Sequence, residues 1–105
     1  MNVYLSNKKK SYNARGKYDF KTNQLIVKKG SQVSADVAYS ASFRGSKTIE
    51  KLRNEYTKDG FLTEDVVFNS SSTAANFVTG RSSNGLILWK NAEGKTLKAL
   101  KENDV

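Results

Sequence analysis

Residues 69–101 read NSSSTAANFVTGRSSNGLILWKNAEGKTLKALK, and this stretch decides the fold. It predicts a short helix over Ser71–Thr79, because a run of serines can cap the helix start and Gly80 can supply the left-handed residue at its end. Ala74 and Phe77 are among the residues expected to pack inward. The serine-rich start can also bind an anion through free backbone N–H groups, but capping is the simpler function.

Turn and strand signals follow this helix. Asn84-Gly85 predicts a hairpin or another tight turn, since both residues tolerate a positive φ. Leu86–Trp89 is predicted to be a strand, and residues 91–94 a turn. Residues 96–101 are expected to form a closing strand or a helical turn.

Upstream of this stretch, apolar residues alternate with polar ones. The period of two over Tyr12–Phe20 predicts a half-buried strand with Arg15 and Lys17 on its solvated face. Gln24–Lys29 is expected to pair with it after a turn. Residues 33–43 alternate more weakly and indicate either a strand or an irregular edge.

A second helical pattern lies in the middle of the chain. The spacing of Ile49, Leu52 and Tyr56 gives one apolar stripe and predicts a helix over Ser46–Lys58, ended by Asp59-Gly60. The sequence therefore predicts an α+β fold, a mainly antiparallel sheet with two short helices packed on it. Residues 1–105 are expected to form a single domain, with residues 1–11 either within it or a flexible basic terminus.

Positive charge is concentrated near the start of the chain. The formal net charge is +8, and the first 30 residues contain eight basic residues against one acid, Asp19. The basic residues are Lys8, Lys9, Lys10, Arg15, Lys17, Lys21, Lys28 and Lys29. Such a field attracts polyanions because bound phosphates release counterions. The alternative is that these lysines only keep the protein soluble.

The composition excludes several kinds of site. The chain has no cysteine and no histidine, so disulfides, thiol nucleophiles, the usual zinc sites and histidine-based triads are excluded. Glu64-Asp65 is the sole adjacent acidic pair, which is too few ligands for a nuclease metal site. We therefore expect no catalysis, no cofactor and no metal. The lack of a signal-peptide pattern or a membrane-length apolar run predicts a cytoplasmic protein without a membrane partner.

Two residues in the opening stretch have competing interpretations. Arg81 precedes the donors Ser82, Ser83 and Asn84, a group suited to phosphate oxygens or base edges. Alternatively, Arg81 forms a buried pair with Asp65 or Glu64. Trp89 either stacks on a base or lies in the core, and its apolar neighbours favour the core.

The ordered motifs YNARGKYD, IVKKGSQVS and FNSSSTAANFVTGRSSNGLILWK resemble a family of small bacterial domains of unknown function. Members of that family are fused to GIY-YIG endonuclease domains or accompany restriction and DNA-methyltransferase proteins. The second half is also similar to the RAMA domain, an accessory module of restriction enzymes and adenine methylases. This resemblance implies binding to DNA.

Charge and resemblance together predict a non-catalytic nucleic-acid-binding accessory module of the restriction-modification or nuclease-associated type. DNA is the expected partner in preference to RNA. The alternative is a protein-interaction module that docks a nuclease or methyltransferase. The predicted nucleic-acid-binding residues are Lys8, Lys9, Lys10, Arg15, Lys17, Arg81, Ser82, Ser83, Asn84 and Lys90.

Overall fold

Six strands and four helices appear in the computed structural model, which describes residues 1–9, 11–35 and 46–102. The strands are β1 (Asn2–Asn7), β2 (Tyr12–Tyr18), β3 (Leu25–Val27), β4 (Thr57–Lys58), β5 (Phe61–Leu62) and β6 (Val66–Phe68). The helices are α1 (Ser46–Tyr56), α2 (Ser71–Thr79), α3 (Gly85–Leu88) and α4 (Leu97–Glu102). The main sheet is antiparallel in the order β1-β2-β3-β6, and β4 and β5 form a separate two-stranded ribbon. The predicted α+β class is confirmed.

The beginning of the chain is a strand of the sheet. β1 pairs along its whole length with β2, so residues 2–7 are not a flexible basic terminus. Val3 and Leu5 are buried while Tyr4 and Ser6 are exposed. This period of two is present in the sequence. The three lysines that follow it, however, suggested a flexible basic terminus.

One face of the sheet carries the core. Along β2, Tyr12, Ala14, Gly16 and Tyr18 are buried, as the alternation predicted. α2 packs on this face, and the rings of Phe68 and Phe77 lie with their centroids 5.2 Å apart. Because the helices cover this face, the other side of the sheet is left open.

The α2 boundaries agree with the prediction. The Ser70 hydroxyl accepts a hydrogen bond from the Thr73 backbone N–H at 3.0 Å, which identifies Ser70 as the N-cap. Gly80 ends the helix in the left-handed conformation, with φ 73°. These two local signals are strong enough to fix a helix of nine residues.

The end of α1 differs from the prediction. The helix stops at Tyr56, and Thr57–Lys58 pairs with Phe61–Leu62 instead of completing a final turn. Asp59 and Gly60 both have positive φ, 54° and 86°. They form the two-residue turn of a hairpin, for which Asp-Gly is a favoured sequence, and do not cap the helix.

The strand predicted over Leu86–Trp89 is wrong. Residues 85–88 form the short helix α3, and Asn84 is its N-cap with φ −96°. A Cβ atom on Gly85 would lie 2.2 Å from the carbonyl carbon and oxygen of Ser71, so this glycine allows α3 to touch the start of α2. Asn84-Gly85 is therefore a helix start at a close contact, and no positive φ is involved.

The remaining predictions concern the end of the chain and residues 33–43. Gly94 has φ 83° and completes the turn predicted at residues 91–94. Of the two alternatives for residues 96–101, the helical one is correct, as α4. Residues 33–35 form no strand, and residues 36–43 lie outside the described residues. Within the described part of the chain, no helix is long and apolar enough to cross a membrane.

Candidate nucleic-acid interface

The open face of the sheet carries basic side chains. On β2, Arg15 and Lys17 are exposed on the side opposite the core, as the alternation predicted. The backbone of Arg15 is fixed, because its N–H donates to the Ser31 hydroxyl at 3.0 Å. The Arg15 guanidinium also donates to the Lys29 carbonyl oxygen at 3.3 Å. The sheet thus holds this arginine at a defined position.

Backbone pairing places further residues in line with Arg15. Tyr4 lies opposite Arg15 in the β1–β2 register and forms an antiparallel bridge with Lys90 on its other side. Beyond Arg15, the Lys28 N–H donates to the Arg15 carbonyl oxygen at 2.9 Å. We call Lys90, Tyr4, Arg15 and Lys28 the basic row. Paired residues project to the same face, so Lys90 and Arg15 flank Tyr4, and Lys28 lies beyond Arg15.

A second row runs beside the basic row. The registers place Asn2, Lys17, Ile26 and Val67 opposite one another across the four strands. Lys17 extends the positive charge along β2. Ile26 and the half-exposed Val67 make the β3–β6 end of the face apolar. The open face is therefore basic at one end and in the middle, and apolar at the other end.

A shallow depression of about 270 Å³ lies within this face. Its lining includes Tyr4, Arg15, Lys17 and Lys28. Gly16 lies at its base, where a Cβ atom would approach the Ile26 carbonyl oxygen to 2.9 Å. Glycine at this position lets β2 and β3 lie close together beneath the basic side chains.

One acid ends the basic row. Asp65 accepts from the Lys28 amino group at 2.7 Å and from the Lys29 backbone N–H at 2.8 Å. The hydrogen bond from Lys28, followed by that from Lys29, lowers the pKa of Asp65 below its usual value. The ion pair is exposed to solvent, so it restrains the Lys28 side chain and adds little to stability.

The predicted lysines of the N-terminal segment lie at the end of the β1–β2 hairpin. Lys8 and Lys9 are exposed in the turn beyond Ser6, and Lys10 lies outside the described residues. Lys8 and Lys9 thus belong to the same hairpin as Tyr4 and Arg15, but they lie at its turn, to one side of the basic row.

The Arg81 loop lies on the helical side of the molecule. It follows α2, whose C-terminal carbonyls face α1 and Ser34. The Arg81 side chain is exposed, and Asp65 is occupied by Lys28. Within residues 1–9, 11–35 and 46–102, no ion pair joins Arg81 to Asp65 or Glu64. The buried pair considered for Arg81 is therefore wrong.

The polar residues after Arg81 serve the local structure. The Ser83 N–H donates to the Asn76 side chain at 2.7 Å, and the Ser83 hydroxyl donates to the Arg81 carbonyl oxygen at 3.0 Å. The Asn84 side chain accepts from the Leu86 N–H at 3.1 Å. Ser82 is exposed. The structure does not bring this loop together with the basic row.

Comparison with known proteins gives a family assignment. A profile described as Domain of unknown function (DUF4357) matches residues 4–101. The chain belongs to this family. No curated protein matches the chain, and no solved structure matches it.

The match spans β1 to α4, so the family includes both the open face and the helices behind it. Among the residues of the open face, Tyr4 and Lys28 were missed as binding candidates. Two signals in the sequence indicated them. Tyr4 alternates with the apolar residues Val3 and Leu5, and Lys28 is two residues after Ile26 and so projects to the same face.

Trp89 is a core residue of this family member. Its side chain is fully buried, and its indole N–H donates to the Ser71 carbonyl oxygen at 3.0 Å. The contact ties the end of α3 to the start of α2. Base stacking on Trp89 is thereby excluded in this structure.

Arg53 has a structural function that the sequence did not reveal. It is buried, and its guanidinium donates to the carbonyl oxygens of Ser34, Phe77 and Val78 at 2.8–3.1 Å. Positive charge at the C-terminal end of α2 is favourable because that end of the helix dipole is negative. The available signal was the position of Arg53 on the apolar stripe, four residues after Ile49.

Proposed function

We propose that this chain is a non-catalytic nucleic-acid-binding accessory module, that its partner is DNA in preference to RNA, and that the open sheet face is the interface. The observation that carries this proposal is the basic row. It sets Lys90 and Arg15 on either side of an exposed tyrosine, with Lys28 beyond Arg15, on one face of the sheet.

Electrostatics favour a polyanion at this face. Lys17 adds a fourth positive charge next to Arg15, and Asp65 offsets part of the charge at the β3–β6 end. Each phosphate neutralised by such a surface releases condensed counterions, which gives affinity without regard to sequence. We therefore assign to the open face a non-specific, salt-sensitive contact with the phosphate backbone.

The resemblance described above supports the choice of DNA. Domains similar to this chain are fused to GIY-YIG endonucleases, and the second half is similar to RAMA domains of restriction enzymes and adenine methylases. In this proposal, the module works in the cytoplasm and holds DNA for a restriction, modification or nuclease partner. The reaction belongs to that partner.

A second candidate function rests on a different part of the same face. Ile26 and Val67 form an apolar end, and Val67 is 56% exposed. An apolar surface on a short edge strand suits a protein partner, such as a nuclease or methyltransferase subunit. Docking through this surface would depend only weakly on salt.

The test compares two double variants of equal charge change. Arg15→Gln/Lys17→Gln removes two cations from the open face. The control, Lys47→Gln/Lys51→Gln, removes two exposed cations from α1, which lies in the helical layer. The affinity of each variant for unlabelled DNA oligonucleotides of several sequences is measured in a competition assay, at low and at moderate salt.

The proposal predicts that the Arg15/Lys17 variant loses about tenfold or more in affinity at low salt for every sequence, with a flatter salt dependence. The control variant should retain most of its affinity. Equal losses in both variants would mean that only net charge matters. A wild-type protein that ignores DNA at low salt would contradict the proposal and favour the docking module.

A further inference from the structure

We infer that the open face takes single-stranded DNA, with one base stacked on Tyr4 and the phosphates on either side held by Arg15 and Lys90. This inference rests on the proposed function and adds the form of the nucleic acid and the residue that contacts a base. Tyr4 is its central residue.

Tyr4 is placed as a stacking surface. It lies on β1, at one edge of the four-stranded sheet, between Lys90 and Arg15, and is 38% exposed although it belongs to a paired strand. Its backbone is fixed against Lys90, because its N–H donates to the Lys90 carbonyl oxygen at 2.7 Å and its carbonyl oxygen accepts from the Lys90 N–H at 3.0 Å. Among the described residues, the close aromatic pairs are Tyr18 with Phe20, edge to face, and Phe68 with Phe77, tilted. The ring of Tyr4 is thus available to a ligand.

The spacing of the cations fits a strand that crosses the sheet. Neighbouring strands lie roughly 4.8 Å apart, so the backbones of Lys90 and Arg15 are separated by about 10 Å with Tyr4 between them. Their long side chains can each reach a phosphate while a base lies on the ring. From Arg15, Lys17 continues the positive surface along β2, and Lys28 continues it across the sheet toward β3.

The shape of the face favours a single strand over a duplex. In a duplex, the bases are stacked on one another and present only their edges in the grooves, which helices or projecting β-ribbons enter. Among the described residues, the basic row lies on the broad surface of a four-stranded sheet, and no helix or projecting β-ribbon carries it. In a single strand, the base faces are free to stack on an aromatic side chain, and every base has such a face.

The experiment uses the full chain and three probes of one sequence: single-stranded DNA, the corresponding DNA duplex and single-stranded RNA. Fluorescence anisotropy gives the affinity of wild-type protein, Tyr4→Phe, Tyr4→Leu and Arg15→Gln/Lys17→Gln at low salt. The melting temperature of each variant is measured as well. Tyr4→Leu keeps an apolar side chain and removes the ring, while Tyr4→Phe keeps the ring.

We expect single-stranded DNA to bind at least about tenfold more tightly than the duplex. Tyr4→Leu should weaken single-strand binding roughly tenfold or more and leave duplex binding nearly unchanged, whereas Tyr4→Phe should bind like wild type. Because Tyr4→Phe and Tyr4→Leu change the same position, a stability loss common to both cannot produce this difference.

The outcomes separate the inference from the function on which it rests. If Arg15→Gln/Lys17→Gln weakens binding but Tyr4→Leu does not, or if duplex binds as well as single strand, the inference is wrong and the proposed function stands. RNA that binds as tightly as DNA would overturn the assignment to DNA. Failure of wild-type protein to bind any probe would overturn both.

Discussion

Arg53 is the residue whose replacement we expect to matter most for stability outside the apolar core. Its guanidinium donates hydrogen bonds to buried carbonyl groups at the end of α2 and at Ser34. Removing the donor takes these bonds away from buried acceptors, which costs more than the bonds themselves contribute, although the Val78 carbonyl oxygen keeps a hydrogen bond from the Ser34 N–H. The packing of α1 against α2 therefore depends on one charged side chain.

We predict that Arg53→Met lowers the free energy of unfolding by about 3 kcal/mol, and that Arg53→Lys also destabilises because it loses the planar fork. Arg81→Met is the matched control, since Arg81 is exposed, and it should change stability by less than about 0.5 kcal/mol. Chemical denaturation measures both. Equal stability of the Arg53 and Arg81 variants would contradict this account.

Trp89 gives a second prediction at this scale. Trp89→Ala removes the largest fully buried side chain and its hydrogen bond to Ser71, and should cost about 3–5 kcal/mol. The native protein should show the blue-shifted fluorescence of a buried indole. Emission near that of free tryptophan would show that the ring is in water, against the structure.

Single residues were predicted well where a local signal fixed them. A serine cap at the start of α2, its end at Gly80 and the burial of Trp89 followed from capping preferences and from apolar neighbours, although which of Ser70, Ser71 and Ser72 is the cap was left open. Gly85 was misinterpreted because glycine is required there by contact with the backbone of Ser71, fourteen residues away in the chain. No local pattern encodes such an approach of two helices.

At the scale of elements, the contact between β3 and β6 modulates the basic row. Asp65, just before β6, pairs with Lys28, just after β3. The pair holds one cation of the row against an acid. The boundaries of β3 and β6 thus lower the net positive charge at one end of the proposed interface.

We predict that Asp65→Asn strengthens binding of DNA several-fold at low salt, because it removes a negative charge from the row and releases Lys28. Asp59→Asn, in the turn of the β4–β5 ribbon, is the control, since asparagine tolerates the positive φ of Asp59. Anisotropy titrations compare the two. If Asp59→Asn strengthens binding as much as Asp65→Asn, the effect is one of net charge alone.

The same pair has a predicted pH dependence. The pKa of Asp65 is lowered from 3.8 in the folded protein, so its pairing contributes stability above that value and loses it as pH falls through the lowered pKa. Asp19 behaves in the same direction, chiefly through a hydrogen bond from the Lys21 backbone N–H. Asp65→Asn should therefore lessen the acid-induced fall in melting temperature below about pH 4.

The elements themselves were predicted unevenly. β2 and α2 followed from long or capped patterns, whereas α3 was assigned to a strand because a four-residue apolar run has no period of its own. The hairpin of β4 and β5 was hidden by the α1 pattern, which ran into it. Where two sequence patterns meet, tertiary contacts determine whether a short segment forms a helix or a strand.

At the scale of the whole molecule, the two layers separate the apolar core from the proposed binding surface. The helices cover one face of the sheet and bury its apolar residues, while the basic row lies on the other face. The charge of the N-terminal third was visible in the sequence. The sequence did not show that Lys90 lies beside this charge, because the bridge between Tyr4 and Lys90 joins residues 86 positions apart. The Arg81 loop, which the sequence favoured, lies in the helical layer.

The central claim is that the open sheet face is the nucleic-acid interface. The most direct measurement is an NMR titration of isotope-labelled protein with single-stranded DNA at two salt concentrations, following every backbone amide. We predict that the largest shifts occur at Tyr4, Arg15, Lys17, Lys28 and Lys90, and that they diminish at the higher salt. Shifts confined to residues 80–84, or no shifts at low salt, would contradict the claim.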